Sequence, residues 1–67
     1  MEILLNNRKE KINRDKLTLE ELIRLKNFTF KLLVTKVNGK LVKKEARPGT
    51  PINEGDDVQV LHMISGG

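Results

Sequence analysis

The chain has 67 residues, 37% of them hydrophobic and 33% charged, with a formal net charge of +4 and no cysteine. Such a length supports one domain near the lower limit for a core without disulfide or metal staples, and it leaves no second lobe to enclose a substrate cleft. Without cysteine there are no thiolate metal sites or thiol nucleophiles. No apolar run approaches a membrane span, and the opening MEILLNNRKE lacks the order of a signal peptide, so a cytoplasmic location without a membrane partner is expected.

In chain order, EILLNN reads as a first strand, with Ile3 and Leu5 on one parity, that stops at the turn-tolerant Asn6-Asn7. After Arg8-Lys9, the segment EKIN is expected to return as the second arm of a hairpin. The clearest local signal is LTLEELIRLK. Thr18 and Glu21 have capping-box spacing, each able to satisfy the other's exposed backbone N–H. Leu17 and Leu22 have the spacing of a hydrophobic staple across the same helix start. Leu19, Leu22 and Ile23 then share one helical face, opposite Glu20, Arg24 and Lys26, which predicts a short helix over Leu19 to Lys26.

In FTFKLLVTKVNGKLV, Phe28, Phe30, Leu32 and Val34 alternate, but Leu33 and Val37 fall on the other parity. That pattern fits either a strand with apolar contacts on both faces or a bulge. Asn38-Gly39 between apolar arms predicts a hairpin pairing LLVTKV with KLVKK, because both central residues of a type I′ turn need positive φ. ARPGTPINEGDD is expected to be loop without regular strand, given Pro48 and Pro51. DVQVLHMIS reads as the last strand, with Val58 and Val60 on one face. The fold class is therefore α+β, and a lone helix covers one face of a small mixed sheet, leaving the other face to a partner.

The basic residues are scattered and interleaved with acids, and Phe28 and Phe30 sit in a core-like alternation. Nothing here offers exposed rings for base stacking, so nucleic acid is not an expected partner. Catalytic constellations are missing as well. Asp56-Asp57 are sequence neighbours that point apart on a strand, and Glu20-Glu21 belong to the helix start. His62, the only histidine, has no second histidine or cysteine with which to build a metal site or triad. It reads as a packing or surface residue. No glycine-rich phosphate loop is present. The domain is read as no enzyme, with no metal or cofactor of its own.

The chain stops on Ser65-Gly66-Gly67, directly after the last apolar strand. Glycine has no Cβ, so this backbone can pass through a channel too narrow for side chains. That suits delivery of a terminal carboxylate to a nucleotide phosphate. Attack on the α-phosphate of ATP gives an acyl adenylate, from which sulfide, a thiol or an amine can displace AMP. A frayed terminus is the plain alternative. The strand running straight into Gly-Gly is the narrower pattern.

Together EILLNN, LTLEELI, VNGKLV, EGDDVQVL and the terminal ISGG resemble the thiamine-biosynthesis sulfur carrier family (ThiS), small β-grasp proteins related to ubiquitin. The resemblance spans essentially the whole chain. It implies a ubiquitin-like β-grasp with a mixed sheet of four to five strands and one helix on one face, over residues 1–65, followed by a flexible tail at 66–67. It further implies a monomeric carrier in thiazole formation. An E1-like adenylating enzyme, using ATP and magnesium, activates the Gly67 carboxylate. Sulfur from a cysteine-derived persulfide donor makes it a thiocarboxylate, and thiazole synthase accepts that sulfur. By position, Gly67 carries the sulfur, Gly66 gives it access, and Ile64 and Ser65 touch the partners. The chain differs from relatives in its ARPGTP segment, its His62-Met63 pair and its high basic charge. Two other sulfur pathways, molybdopterin formation and tRNA thiolation, use the same chemistry. A ubiquitin-like modifier would instead join Gly67 to a lysine, and a basic binding module would leave the tail inert. Deleting Gly67 abolishes function in every reading but the last.

Overall fold

The computed structural model describes residues 1–28 and 32–63. Strands β1 (Glu2–Leu5) and β2 (Arg8–Lys11) form an antiparallel hairpin, followed by the short β3 (Leu17–Thr18) and helix α1 (Leu19–Leu25). Next come β4 (Leu33–Val37), β5 (Lys40–Val42), a 3₁₀ helix over Lys44–Gly49, β6 (Pro51–Ile52) and β7 (Asp57–His62). The main sheet has five strands in the order β2-β1-β7-β4-β5, with β1 and β7 parallel and the other pairs antiparallel. This is the mixed sheet and single helix of the expected β-grasp.

The sequence specifies several of these elements directly. The capping box at Thr18 is formed as expected: the Glu21 N–H donates to Thr18 Oγ1 at 3.1 Å and the Thr18 N–H to Glu21 Oε1 at 2.9 Å. Asn38 and Gly39 have φ of 51° and 82°, the positive values that a two-residue β4–β5 turn requires. Leu19, Leu22 and Ile23 of α1 are buried with Ile3, Leu5, Val58 and Val60 from the facing side of the sheet. Burying such aliphatic side chains stabilises the fold by about 1.5–3 kcal/mol each.

Two expectations need correction. The second strand is Arg8–Lys11 rather than EKIN, because Asn6 and Asn7 both take positive φ, 52° and 68°, and form a two-residue turn that sets Arg8 opposite Leu5. Its RKEK sequence gives no apolar alternation to read, since a charged edge strand guards the sheet against edge pairing. The segment after Val42 is not plain loop either. It holds the 3₁₀ helix and β6, where Pro51 is the first strand residue and pairs with Thr18, while Ile52 pairs with Leu17. Proline is tolerated there because a first-position edge residue needs no ladder donor. This second, two-stranded sheet holds the start of α1, and the Leu19 N–H donates to the Thr50 carbonyl at 2.8 Å. Phe28 packs against the core. Phe30 lies outside the described residues.

The helix cap carries a pH signature. The Thr18 backbone N–H, then the Thr18 hydroxyl, with added positive charge from Arg14 and Arg24, hold the Glu21 carboxyl below its ordinary 4.5. A carboxyl that binds its proton less readily when folded stabilises the fold above 4.5, and that contribution disappears as pH falls through the lower folded value. Glutamine keeps the capping-box acceptor without the titration. Glu21→Gln is therefore expected to flatten the acid limb of a stability-versus-pH curve with little change at neutral pH. Denaturant melts along a pH series check this, and an unchanged acid limb would assign the slope to other carboxylates.

Candidate functional site

β7 is the central strand of the main sheet, flanked by β1 and β4. Its side chains alternate between faces. Val58 and Val60 enter the core beneath α1, whereas Gln59 and Leu61 point to the uncovered face. Register extends that face across the sheet. Leu61 lies opposite Val34, Gln59 opposite Lys36, Lys36 opposite Leu41, and Asp57 beside Leu4, itself opposite Lys9. The side of the sheet away from the helix thus exposes Leu4, Leu41 and Leu61, the last at 44% and Leu41 at 62%. Lys9 and Lys36 stand among these apolar positions.

At the far end of β7, the Met63 N–H donates to the Leu32 carbonyl at 2.9 Å, one step beyond the Leu33–His62 pair. Leu32 and Met63 are each about half exposed and continue the apolar stretch toward the chain end. The predicted tail residues Ile64, Ser65, Gly66 and Gly67 follow at once in sequence and lie outside the described residues, as does the expected domain limit at 65. In sequence, the terminus thus follows the middle strand of the sheet.

The remaining candidates take structural places. Asp56 closes the turn before β7: its Oδ2 accepts the Asn53 N–H at 2.8 Å and its Oδ1 the Asn38 side-chain amide at 3.0 Å. Asp57 has Oδ1 buried without a partner among the described residues. Glu20 lies 3.9 Å from Arg24 one helical turn on. His62 is exposed at the end of β7. Among the described residues, no group of three or more His, Asp or Glu side chains is placed to hold a metal ion, and no helix is long and apolar enough to cross a membrane.

Sequence reading missed two residues, one bonded to β7 and one to the adjacent β4. Asn6, which reads only as a turn residue, directs its carboxamide at Val60: Nδ2 donates to the Val60 carbonyl at 3.1 Å and Oδ1 accepts the Val60 N–H at 2.8 Å. Arg47, which reads as loop, is 8% exposed. Its Nε donates to Thr35 Oγ1 at 3.1 Å and its Nη2 to the Leu33 carbonyl at 2.8 Å. Neither role has a sequence signal, because each depends on which strand edge the fold leaves open.

The sequence profile of the ThiS family matches residues 2–67. No curated protein matches the chain significantly. Among solved structures, the crystal structure of the thiamine biosynthesis protein ThiS from Geobacter metallireducens superposes with a TM-score of 0.86 at 26% identity, over 100% of both chains. An NMR solution structure of a thiamine biosynthesis protein from the same organism gives a TM-score of 0.78 at 26% identity, covering 100% of this chain and 88% of the other. With the profile running from the first strand through the terminal glycines and the fold matching end to end, the chain belongs to the ThiS family.

Proposed function

We propose that the chain is a non-enzymatic sulfur carrier in thiamine biosynthesis, with the Gly67 carboxylate as its working group. The observation that carries this reading is the coincidence of a family match extending through Gly67 with a central strand that ends five residues before it, at His62. In this reading the chemistry is supplied by the partner enzymes.

In the proposed reaction, a carboxylate oxygen of Gly67 attacks the α-phosphorus of ATP held with magnesium by an E1-like enzyme. The bond to the β-phosphate bridging oxygen breaks, pyrophosphate leaves, and an acyl adenylate forms. Hydrosulfide, released from a persulfide donor when a second thiol reduces it and is itself oxidised into a disulfide, then attacks the acyl carbon. AMP leaves with the former carboxylate oxygen, a proton is lost, and a terminal thiocarboxylate remains. Dividing substitution at an inert carboxylate into two steps with good leaving groups makes it feasible. Gly66 lets the backbone through the partner's channel, and Ile64 and Ser65 line the approach. Thiazole synthase accepts the sulfur. The face bearing Leu4, Leu41 and Leu61 docks the adenylating enzyme, and the lysines among them favour an acidic surround.

Intact-mass spectrometry after incubation with an E1-like ThiS-activating enzyme, ATP, magnesium and sulfide tests the reading. The expected product is heavier by the difference between sulfur and oxygen, with the change localised to Gly67, and the chain lacking Gly67 gives none. An unmodified chain beside a fully converted control carrier would defeat the proposal. An amide bond to a lysine in place of the thiocarboxylate would favour a protein modifier.

A further inference from the structure

The end of β7 is held by fewer strands than its start. β1 pairs with β7 only at Asp57 and Val58, and β5 pairs with β4 only from Thr35 to Val37, yet β4 and β7 stay paired out to Leu33 and His62. Beyond Val58 on one side and Thr35 on the other, the two strands would therefore present bare edges.

Two side chains stand where strands are missing. The Asn6 carboxamide offers Val60 one donor and one acceptor, supplying from one side chain the two bonds that two different residues of a longer parallel β1 would supply. On the opposite edge, Arg47 Nη2 meets the Leu33 carbonyl past the end of β5. Its Nε meets Thr35 Oγ1, and that hydroxyl donates onward to the Val42 carbonyl at 2.6 Å. The 3₁₀ helix is thus tied to both β4 and β5. Arg47 has no ion-pair partner among the described residues, so its burial incurs desolvation that a methionine would avoid. Only a long side chain with several donors reaches both acceptors.

We propose that Asn6 and Arg47 are positioning residues that keep the last rungs of β7 in line, so that the C-terminal segment is presented to the adenylating partner from a fixed root. The role rests on the carrier reading above. It is separate from docking, since both side chains bond along the edges of β4 and β7 rather than forming the exposed apolar face.

Site-resolved amide exchange and steady-state adenylation test it on the full chain. The variants are Arg47→Met, Arg47→Lys and Asn6→Gly, the last removing the carboxamide while tolerating the positive φ. The Leu4 N–H, bonded to the Asp56 carbonyl at 2.9 Å, reports opening of the sheet as a whole. Relative to it, exchange at Met63 is expected to accelerate about tenfold in Arg47→Met and Asn6→Gly, with Arg47→Lys between these and the wild type. At saturating carrier, kcat is expected to fall about tenfold with KM little changed, as for a misplaced nucleophile. Loss of folded carrier alone would raise apparent KM and spare kcat. Met63 exchange that only tracks Leu4, or an unaltered kcat, overturns the proposal. Failure of the wild-type chain itself to be adenylated would overturn the carrier reading, and the presentation role with it, whatever the variants do in exchange.

Discussion

Gly66→Val is expected to stop adenylation while leaving the fold intact. The reaction requires the Gly67 carboxylate to reach the α-phosphorus of a nucleotide inside the partner, and a side chain next to the terminal residue must follow it into that passage. Valine adds a branched Cβ and confines φ, so it both widens the chain and removes backbone conformations that glycine allows. A displacement of about 1 Å at a reacting centre costs about 10²-fold in rate, and a branched side chain in a glycine-width channel displaces more than that. We therefore expect pyrophosphate release with the E1-like enzyme to fall by about 10²-fold or more. Stability is a separate matter. Among the described residues the buried core ends in sequence at Val60, so the denaturant midpoint of Gly66→Val should match that of the wild type. Adenylation at the normal rate would refute the channel argument. Lost adenylation together with an unfolded chain would show that Gly66 belongs to the folded body.

Much of the fold was legible because local chemistry and global position agree. Thr18 and Glu21 can satisfy each other only at a helix start, and Asn38-Gly39 can adopt paired positive φ only in a tight turn, so these short stretches anchor α1 and the β4–β5 hairpin. β2 was misplaced by two residues because its own sequence is charged and its register comes from the Asn6-Asn7 turn. β6 was not legible at all. Its two residues pair with β3 across more than thirty positions of intervening chain, and no periodicity forms in a stretch that short. The same limit hid Arg47 and Asn6, whose acceptors at Leu33 and Val60 become neighbours only once the sheet order is fixed. The reading of the terminal glycines rests on adjacency to an apolar strand rather than on any tertiary contact, and those residues lie outside the described structure.

Leu61→Glu is expected to separate docking from folding. Leu61 lies on β7 opposite Val34, 44% exposed on the face that α1 does not cover, with Leu4 on the adjacent β1 and Leu41 on β5, one strand beyond β4. A polar replacement at such a half-exposed site costs the fold about 1 kcal/mol or less, because the side chain already meets water. At an interface the same position would be central, apolar and desolvated, the setting in which single residues contribute about 2 kcal/mol or more, or about 30-fold in affinity. Glutamate also adds a negative charge to the face that carries Lys9 and Lys36, opposing the acidic surround proposed for the partner. Adenylation by the E1-like enzyme should therefore show KM raised about 30-fold with kcat at saturation nearly unchanged, the reverse of the split expected for Arg47→Met. The wild-type reaction should slow as salt is raised, because the rim lysines act through screened attraction. A KM unaltered by Leu61→Glu would move the docking surface off this face, leaving Leu4, Leu41 and Leu61 as the solvent side of a sheet that needs only one helix to be stable.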